Sequence, residues 1–515
     1  MLWRKVREHP LLASAILILI ASVRIIATYK ILNHTIDEPA HLAAGMEWIQ
    51  GGTYTYEDQH PPLARVLAAS GLYLAGSRWS HNPDMYLEGY HLLGYDHRYT
   101  HNLFYSRAAM LPLFWIASAV VYLWTRRIAG ASESVAAVLI FTTIPPILGH
   151  AGLATTDMAL TAFTGAAALA ALYWAEKPSW GRSAFFGATV GLAVLSKFSA
   201  LLFLPSALAV MYAVHLAERR PRFWQVFSEV TARLIPATIS LVVIAFMIGV
   251  AYRFSYGTSP FFPLPLPFPA FFNGIHAVWE HNKEGHPAWL LGERRQHGFW
   301  NYYLVVTAVK TPLALLLLTI PALFLRVRKT AVPLAFAGAI LFAASFGGIN
   351  IGVRHILPIY TGLSVCAGIT AIRLVRDRKT AGTIAVMFLL AWQVISGLAD
   401  HPDYLAYTNE LAGTRPDRIL ADSDLDWGQD MKRLALRLQQ LRVGEFTFKL
   451  FNVGYLAAGN DFPGFVPMPD GNRPRPGWNA VSITPWRITG EPRWAETAIP
   501  KERIGGSILL YYFPQ

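Results

Sequence analysis

The sequence predicts a mainly α-helical, polytopic membrane protein, with about eleven transmembrane helices over residues 1–399 and a small extracytoplasmic α/β domain over residues 400–515. Three observations lead to it. Of 515 residues, 54% are hydrophobic and only 15% are charged, whereas a soluble protein carries about a quarter charged residues. The apolar residues fall in runs close to the roughly 20 residues that a helix needs to cross a hydrocarbon core of about 30 Å. Lysines and arginines cluster at every second boundary between runs, the pattern of a chain with one cytoplasmic face.

The runs are 11–29, 103–124, 134–149, 158–175, 183–196, 200–217, 234–252, 303–325, 331–347, 355–373 and 381–399. The first follows the basic Arg4, Lys5 and Arg7 but has no small-residue cleavage site, so it reads as a retained span rather than a signal peptide. As one helix, Ser183 to Leu216 would be about 51 Å long, too much for a single crossing. It must turn at its only polar point, Ser196-Lys197-Phe198-Ser199. Residues 134–175 divide in the same way around Pro145-Pro146, Gly149-His150 and Thr155-Thr156-Asp157. These turns bring Arg126 and Arg127, Lys177 and Arg182, the arginines at 219, 220, 222 and 233, Arg326, Arg328 and Lys329, and the cluster Arg373 to Lys379 to the side of the N-terminus. By the positive-inside rule that side is cytoplasmic, and an odd number of spans leaves the C-terminus outside.

Three outward segments are long. Residues 30–102 carry interfacial aromatics such as Trp48, Tyr54, Tyr73 and Trp79, and are expected to form short helices on the membrane surface. Residues 253–302 contain Phe261-Phe262-Pro263-Leu264-Pro265-Leu266-Pro267-Phe268-Pro269, where alternating prolines forbid a helix and an interior strand and predict an extended apolar loop. The tail is more charged, with strand-like 445–450 and 507–513 around a helical 428–442. The formal charge of +12 lies largely in short loops, where it sets topology and meets anionic membrane lipids, so no nucleic-acid partner is expected. The single cysteine, Cys366, lies in an apolar run and rules out an intramolecular disulfide or a thiolate metal cluster.

The isolated charges beside the runs fall on the outward side. Asp37-Glu38 follows the first span; either carboxylate could cap the next helix or accept a proton from an attacking hydroxyl. His60 is fixed by Pro61-Pro62, and a rigid turn suits a group that meets a phosphate or a metal. Asp157 opens the fourth span, where it could cap that helix or serve the chemistry, and Lys197 occupies the turn after the fifth, where an ammonium is costly unless it snorkels or is paired. Arg354 and His355 share another outward turn, and a guanidinium suits bidentate phosphate binding. Lys310, just inside the eighth span, is a lesser candidate for the same task, with snorkelling to the interface as its alternative. Together they form the set expected for a reaction between a lipid-linked phosphate and a hydroxyl or amine: cations on the leaving phosphate, a carboxylate on the nucleophile.

Asp37-Glu38-Pro39-Ala40-His41, His60-Pro61-Pro62-Leu63, Thr156-Asp157, Lys197-Phe198 and Asn350-Ile351-Gly352-Val353-Arg354-His355 resemble the motifs of bacterial members of glycosyltransferase family 39. That family includes protein O-mannosyltransferases and lipid A aminoarabinose transferases and has the GT-C fold. His401 to Leu411 and Asp422-Ser423-Asp424-Leu425-Asp426-Trp427-Gly428-Gln429-Asp430 also resemble an uncharacterised bacterial subgroup. The resemblance implies a polyprenyl-phosphate sugar donor, inversion at the anomeric carbon, and a glycan, lipid or protein acceptor at the outer face of the cytoplasmic (inner) membrane. It implies Asp37 as base or acceptor-orienting group, with Glu38 and Asp157 as the other candidate catalytic acids. Lys197 and Arg354 would neutralise the donor phosphate, with His60, His355 and Lys310 as further phosphate contacts. His60 stands where the aminoarabinose enzymes carry lysine, which leaves a divalent metal ion on that histidine as its alternative role; no other cofactor is implied.

Two look-alikes are set aside. Asp422 to Gly428 resembles a calcium loop, but its glycine is one place late and Arg433 stands where glutamate is needed. Its Asp-Ser-Asp mimics a nucleotide-sugar motif without the Gly-rich strand-to-helix turn of such enzymes, so a turn capping a helix near Gly428 is expected instead. The competing function is a lipid or solute transporter. Transporters hold ionisable groups near the bilayer midplane on broken helices, whereas here they cluster at one set of helix ends.

Overall fold

The computed structural model describes residues 8–324, 328–457, 462–468 and 473–514; Arg4, Lys5, Arg7 and Arg326 of the basic clusters lie outside these. Among the described residues, six helices are long and apolar enough to cross a membrane: Pro10–Thr28, Tyr99–Ile128, Asp157–Glu176, Ala200–Arg219, Leu234–Ala251 and Ile359–Ala399. Two bent pairs raise the number to eight. Ala131–Phe141 and Pro145–Ala151 meet at 68°, Tyr302–Lys310 and Leu313–Leu323 at 117°. Both bends fall at prolines, which remove a helical N–H and clash with the preceding turn. Helix Trp180–Ser196 stops before Lys197, and the next helix starts at Ala200. The long helix Ile359–Ala399 breaks at Lys379, whose φ of 44° is non-helical.

The first outward segment folds into helices Glu38–Met46, Pro62–Leu74 and Met85–Gly94. They pack at backbone distance, since a Cβ on Gly45 would come within 2.1 Å of the Arg65 carbonyl oxygen. The proline-rich segment differs from the extended loop the sequence suggests: β1 (Tyr256–Ser259) and β2 (Phe262–Pro267) form an antiparallel hairpin, with Tyr256 opposite Pro267. A two-stranded ribbon has two edges, so prolines at alternate positions can turn their missing donors outward and leave the pairing side intact. Helix Pro269–Glu284 and the short hairpin β3 (Ala288–Leu290) and β4 (Glu293–Arg295) complete this segment.

In the tail, β5 (Glu445–Lys449), β6 (Gly464–Pro467), β7 (Gly477–Ser482), β8 (Glu502–Ile504) and β9 (Ile508–Phe513) form a mixed sheet ordered β6-β5-β7-β9-β8. β5 runs parallel to both neighbours, and β9 runs antiparallel to β7 and β8. Helix Met431–Gln440 places Met431, Leu434 and Leu438 against Phe446, Phe448, Ile508 and Leu510. The stretch before that helix is a series of short 3-10 turns, and its Tyr404, Leu420, Ala421 and Leu425 share the large core of the helical body.

Candidate active site

Four chain turns supply the centre of the site. Asp37 precedes helix Glu38–Met46 but makes no capping hydrogen bond to it. Its Oδ2 accepts from Arg354 Nη1 at 3.0 Å, and the carboxylate side chain keeps 31% of its exposure. Arg354 lies in the 3-10 turn Val353–Ile356, entered through Gly352 at a φ of 109°. Only glycine suits that backbone, and a Cβ there would meet Ser423 Oγ at 2.6 Å. Asp157, the first residue of its helix, is fully buried and accepts from Lys197 Nζ at 2.7 Å. Two acids and two cations, from segments far apart in the chain, thus pair crosswise.

His60 lies among them, close enough to feel the charges of Lys197, Asp37, Asp157 and Arg354. Burial, followed by the Lys197 charge, lowers its pKa to about 4 and leaves the ring neutral at physiological pH. Its Nδ1 sits 3.2 Å from Glu57 Oε2 and 3.1 Å from Arg65 Nη2. Arg65 is itself buried, pairs with Glu57 and donates through Nε to His41 Nδ1 at 3.1 Å. A guanidinium therefore occupies the middle of the one His/His/Glu grouping around His60. Among the described residues, no group of three or more His, Cys, Asp or Glu is arranged to hold a metal ion. The donor set does not fit a metal on His60, and no step below runs through one.

The remaining candidates lie beside the centre. Glu38 is fully buried, accepts from Arg107 Nε and Nη2 at 2.9 and 2.8 Å, and takes the backbone N–H groups of Thr35 and Ala154. Burial alone would raise this carboxyl; the Arg107 guanidinium and the N–H donors overcome it and hold the pKa below the ordinary range. Lys310 is buried and donates to the Leu405 and Asp424 carbonyls, which ties the helical body to the tail. His355 is half-buried, with Nδ1 3.2 Å from the Tyr303 hydroxyl.

Several neighbours are not among the site residues the sequence suggests. His41 and Arg65 flank His60, and His150 lies near Asp157 on the broken helix Pro145–Ala151. Asp157 Oδ2, His150 Nδ1 and Thr155 Oγ1 are buried without a hydrogen-bond partner among the described residues. Such atoms cost about 1–3 kcal/mol each unless a water or a ligand meets them. The Asp422–Asp424 turn does not cap the tail helix, which begins only at Met431. Asp424 instead accepts from Val353 N at 2.9 Å and from the Tyr302 hydroxyl at 3.2 Å, and so braces the Arg354 turn.

Residues 102–253 match the family described as dolichyl-phosphate-mannose-protein mannosyltransferase. The fold is that of ArnT from Cupriavidus metallidurans. The structure of that protein bound to undecaprenyl phosphate aligns at 13% identity over 97% of this chain and 99% of its own, with a TM-score of 0.53. Its apo structure aligns over the same shares at 13% identity and a TM-score of 0.52. No curated protein matches the chain by sequence. The glycosyltransferase resemblance read from the motifs is thus met independently by the family match over residues 102–253.

Proposed function

We propose that the chain is a membrane glycosyltransferase that moves a sugar from a polyprenyl-phosphate donor to a hydroxyl or amine of an envelope glycan, lipid or protein, with inversion. The observation that carries this reading is the crosswise pairing of Asp37 with Arg354 and Asp157 with Lys197 beside a neutral histidine. The fold shared with ArnT supports it, as does the match to the mannosyltransferase family.

In this mechanism the donor phosphate draws Arg354 and Lys197 to itself, since charge-assisted contacts to a phosphate rival those to a carboxylate. Asp37, released from Arg354, accepts the proton of the acceptor O–H or N–H. The acceptor atom attacks the anomeric carbon on the face opposite the phosphate. The bond from that carbon to the phosphate oxygen breaks, and polyprenyl phosphate leaves with its charge held by the two cations. Asp157 keeps Lys197 positioned in the ligand-free chain.

Eleven spans follow if both bent pairs cross, helices Trp180–Ser196 and Arg328–Ala344 cross, and Ile359–Ala399 counts twice on either side of Lys379. Arg127, Lys177, Arg220 and Arg378 then stand at helix ends opposite the site, which supports a cytoplasmic N-terminus with the site and tail outside the inner membrane. Reporters fused after Arg127, Arg220 and Arg378 should read as cytoplasmic and one at the C-terminus as external. Mass spectrometry of a strain lacking the gene tests the function: a polyprenyl-phosphate sugar should accumulate while one envelope sugar modification disappears. Unchanged lipid-linked sugars together with unchanged envelope glycans would refute it.

A further inference from the structure

One tail residue touches Arg354 and also the residue just before its partner Asp37. The Trp427 carbonyl accepts from Ile36 N at 3.1 Å, immediately before Asp37, and the Arg354 guanidinium carbon lies 4.0 Å above the Trp427 ring. Trp427 is 1% exposed and packs with Leu153, Leu405, Ile36 and Phe451. The surrounding tail fastens the same two segments. Asn33 N donates to the Gln429 carbonyl at 3.2 Å, Asn33 Nδ2 to the Gly428 carbonyl at 2.7 Å, and Asn452 Nδ2 to the His34 carbonyl at 2.9 Å. On the other side Asp424 holds Val353 N, and Ser423 Oγ donates to the Ile351 carbonyl.

We infer that Trp427 is a positioning residue of the glycosyl-transfer site: it holds the backbone at Ile36, next to Asp37, and gives Arg354 an aromatic face on which to move from the carboxylate to the donor phosphate. The inference rests on the donor reading above. A desolvated guanidinium gains on the order of tenfold or more in an equilibrium constant from an aromatic face, and that attraction depends little on rotation within the plane. A guanidinium held there can exchange anions without being released into an apolar interior. The tail then helps to position the site rather than standing apart from it, although Trp427 and Asp37 lie far apart in the chain.

The test is the binding of undecaprenyl phosphate to the full chain in nanodiscs, in a double-mutant cycle. Trp427→Leu should weaken binding at least about tenfold, Trp427→Phe should restore it to within about threefold of wild type, and Trp427→Leu on the Arg354→Ala background should weaken it no further. A merely structural tryptophan predicts a loss that multiplies with that of Arg354→Ala and is not rescued by phenylalanine; either result overturns the inference. So does a folded Trp427→Leu chain that binds as wild type. Thermal unfolding shows whether that chain folds. If it does not, the Trp427→Phe cycle decides, since its smaller loss must vanish on the Arg354→Ala background. A wild-type chain that binds no undecaprenyl phosphate overturns the donor reading, and this inference with it.

Discussion

Adjacent carboxylates at 37 and 38 occupy unlike environments, and their substitutions should separate accordingly. Glu38 is sealed in an ion pair with Arg107 and accepts two backbone N–H groups. Removing its charge leaves a buried guanidinium uncompensated, a change that costs about 3–5 kcal/mol. The Asp37 carboxylate caps nothing, stays partly exposed and, among the described residues, accepts a hydrogen bond only from Arg354. Glu38→Gln should therefore lower the melting temperature by many degrees. Asp37→Asn should leave the melt near wild type while turnover falls at least about 100-fold, the contribution of a positioned base. Near-normal turnover in Asp37→Asn would return that residue to a structural role and make Asp157 the next candidate base. Position along the chain marks both acids equally, because adjacency to a span says nothing of which way each side chain turns; only the family resemblance sets Asp37 ahead.

Among the elements, the Asp422–Asp424 turn titrates in a predictable direction. Burial raises the Asp422 carboxyl to about 6, against an ordinary value near 4, with Arg354 opposing and Asp37 adding to the shift. The folded chain thus holds a proton that the unfolded chain has lost between about pH 4 and 6. Its contribution to stability is present at the acid end and is lost as the pH rises through about 6. Neutral His60 acts in the opposite sense, but equally in wild type and variant. The Asp422→Asn chain should therefore gain on wild type in thermal unfolding between pH 4.5 and 7.5, by on the order of 1–3 kcal/mol. An unchanged gap would mean that Asp422 titrates like an exposed carboxylate. The Lys197 turn was legible in the sequence because it is the only polar point in an apolar run too long for one crossing. The Asp422 turn was not: acids and a glycine before a helix look locally like a cap, and the Val353 N–H that Asp424 accepts lies 71 positions away.

Across the whole molecule, patterning along the chain is readable and contact between distant segments is not. Hydropathy and basic clusters anticipate where helices begin and end, including the breaks at Pro145-Pro146 and Lys197. The mixed sheet shows only as isolated strand-like runs, since no local signal sets the order β6-β5-β7-β9-β8. Of the site, Asp37, His60, Asp157, Lys197 and Arg354 stand out as lone charges beside apolar runs, and the structure brings them together. Arg65, His150 and Trp427 sit among apolar or ordinary polar neighbours, and only the fold shows what they touch. On the function proposed above, the chain is an enzyme that cuts the bond between sugar and lipid phosphate. The most direct measurement supplies the purified chain in vesicles with a polyprenyl-phosphate sugar, labelled in the sugar, and an envelope acceptor fraction. Label should pass to the acceptor while an equal amount of free polyprenyl phosphate appears. Label that stays on the lipid, whether or not the lipid changes leaflet, would contradict the account.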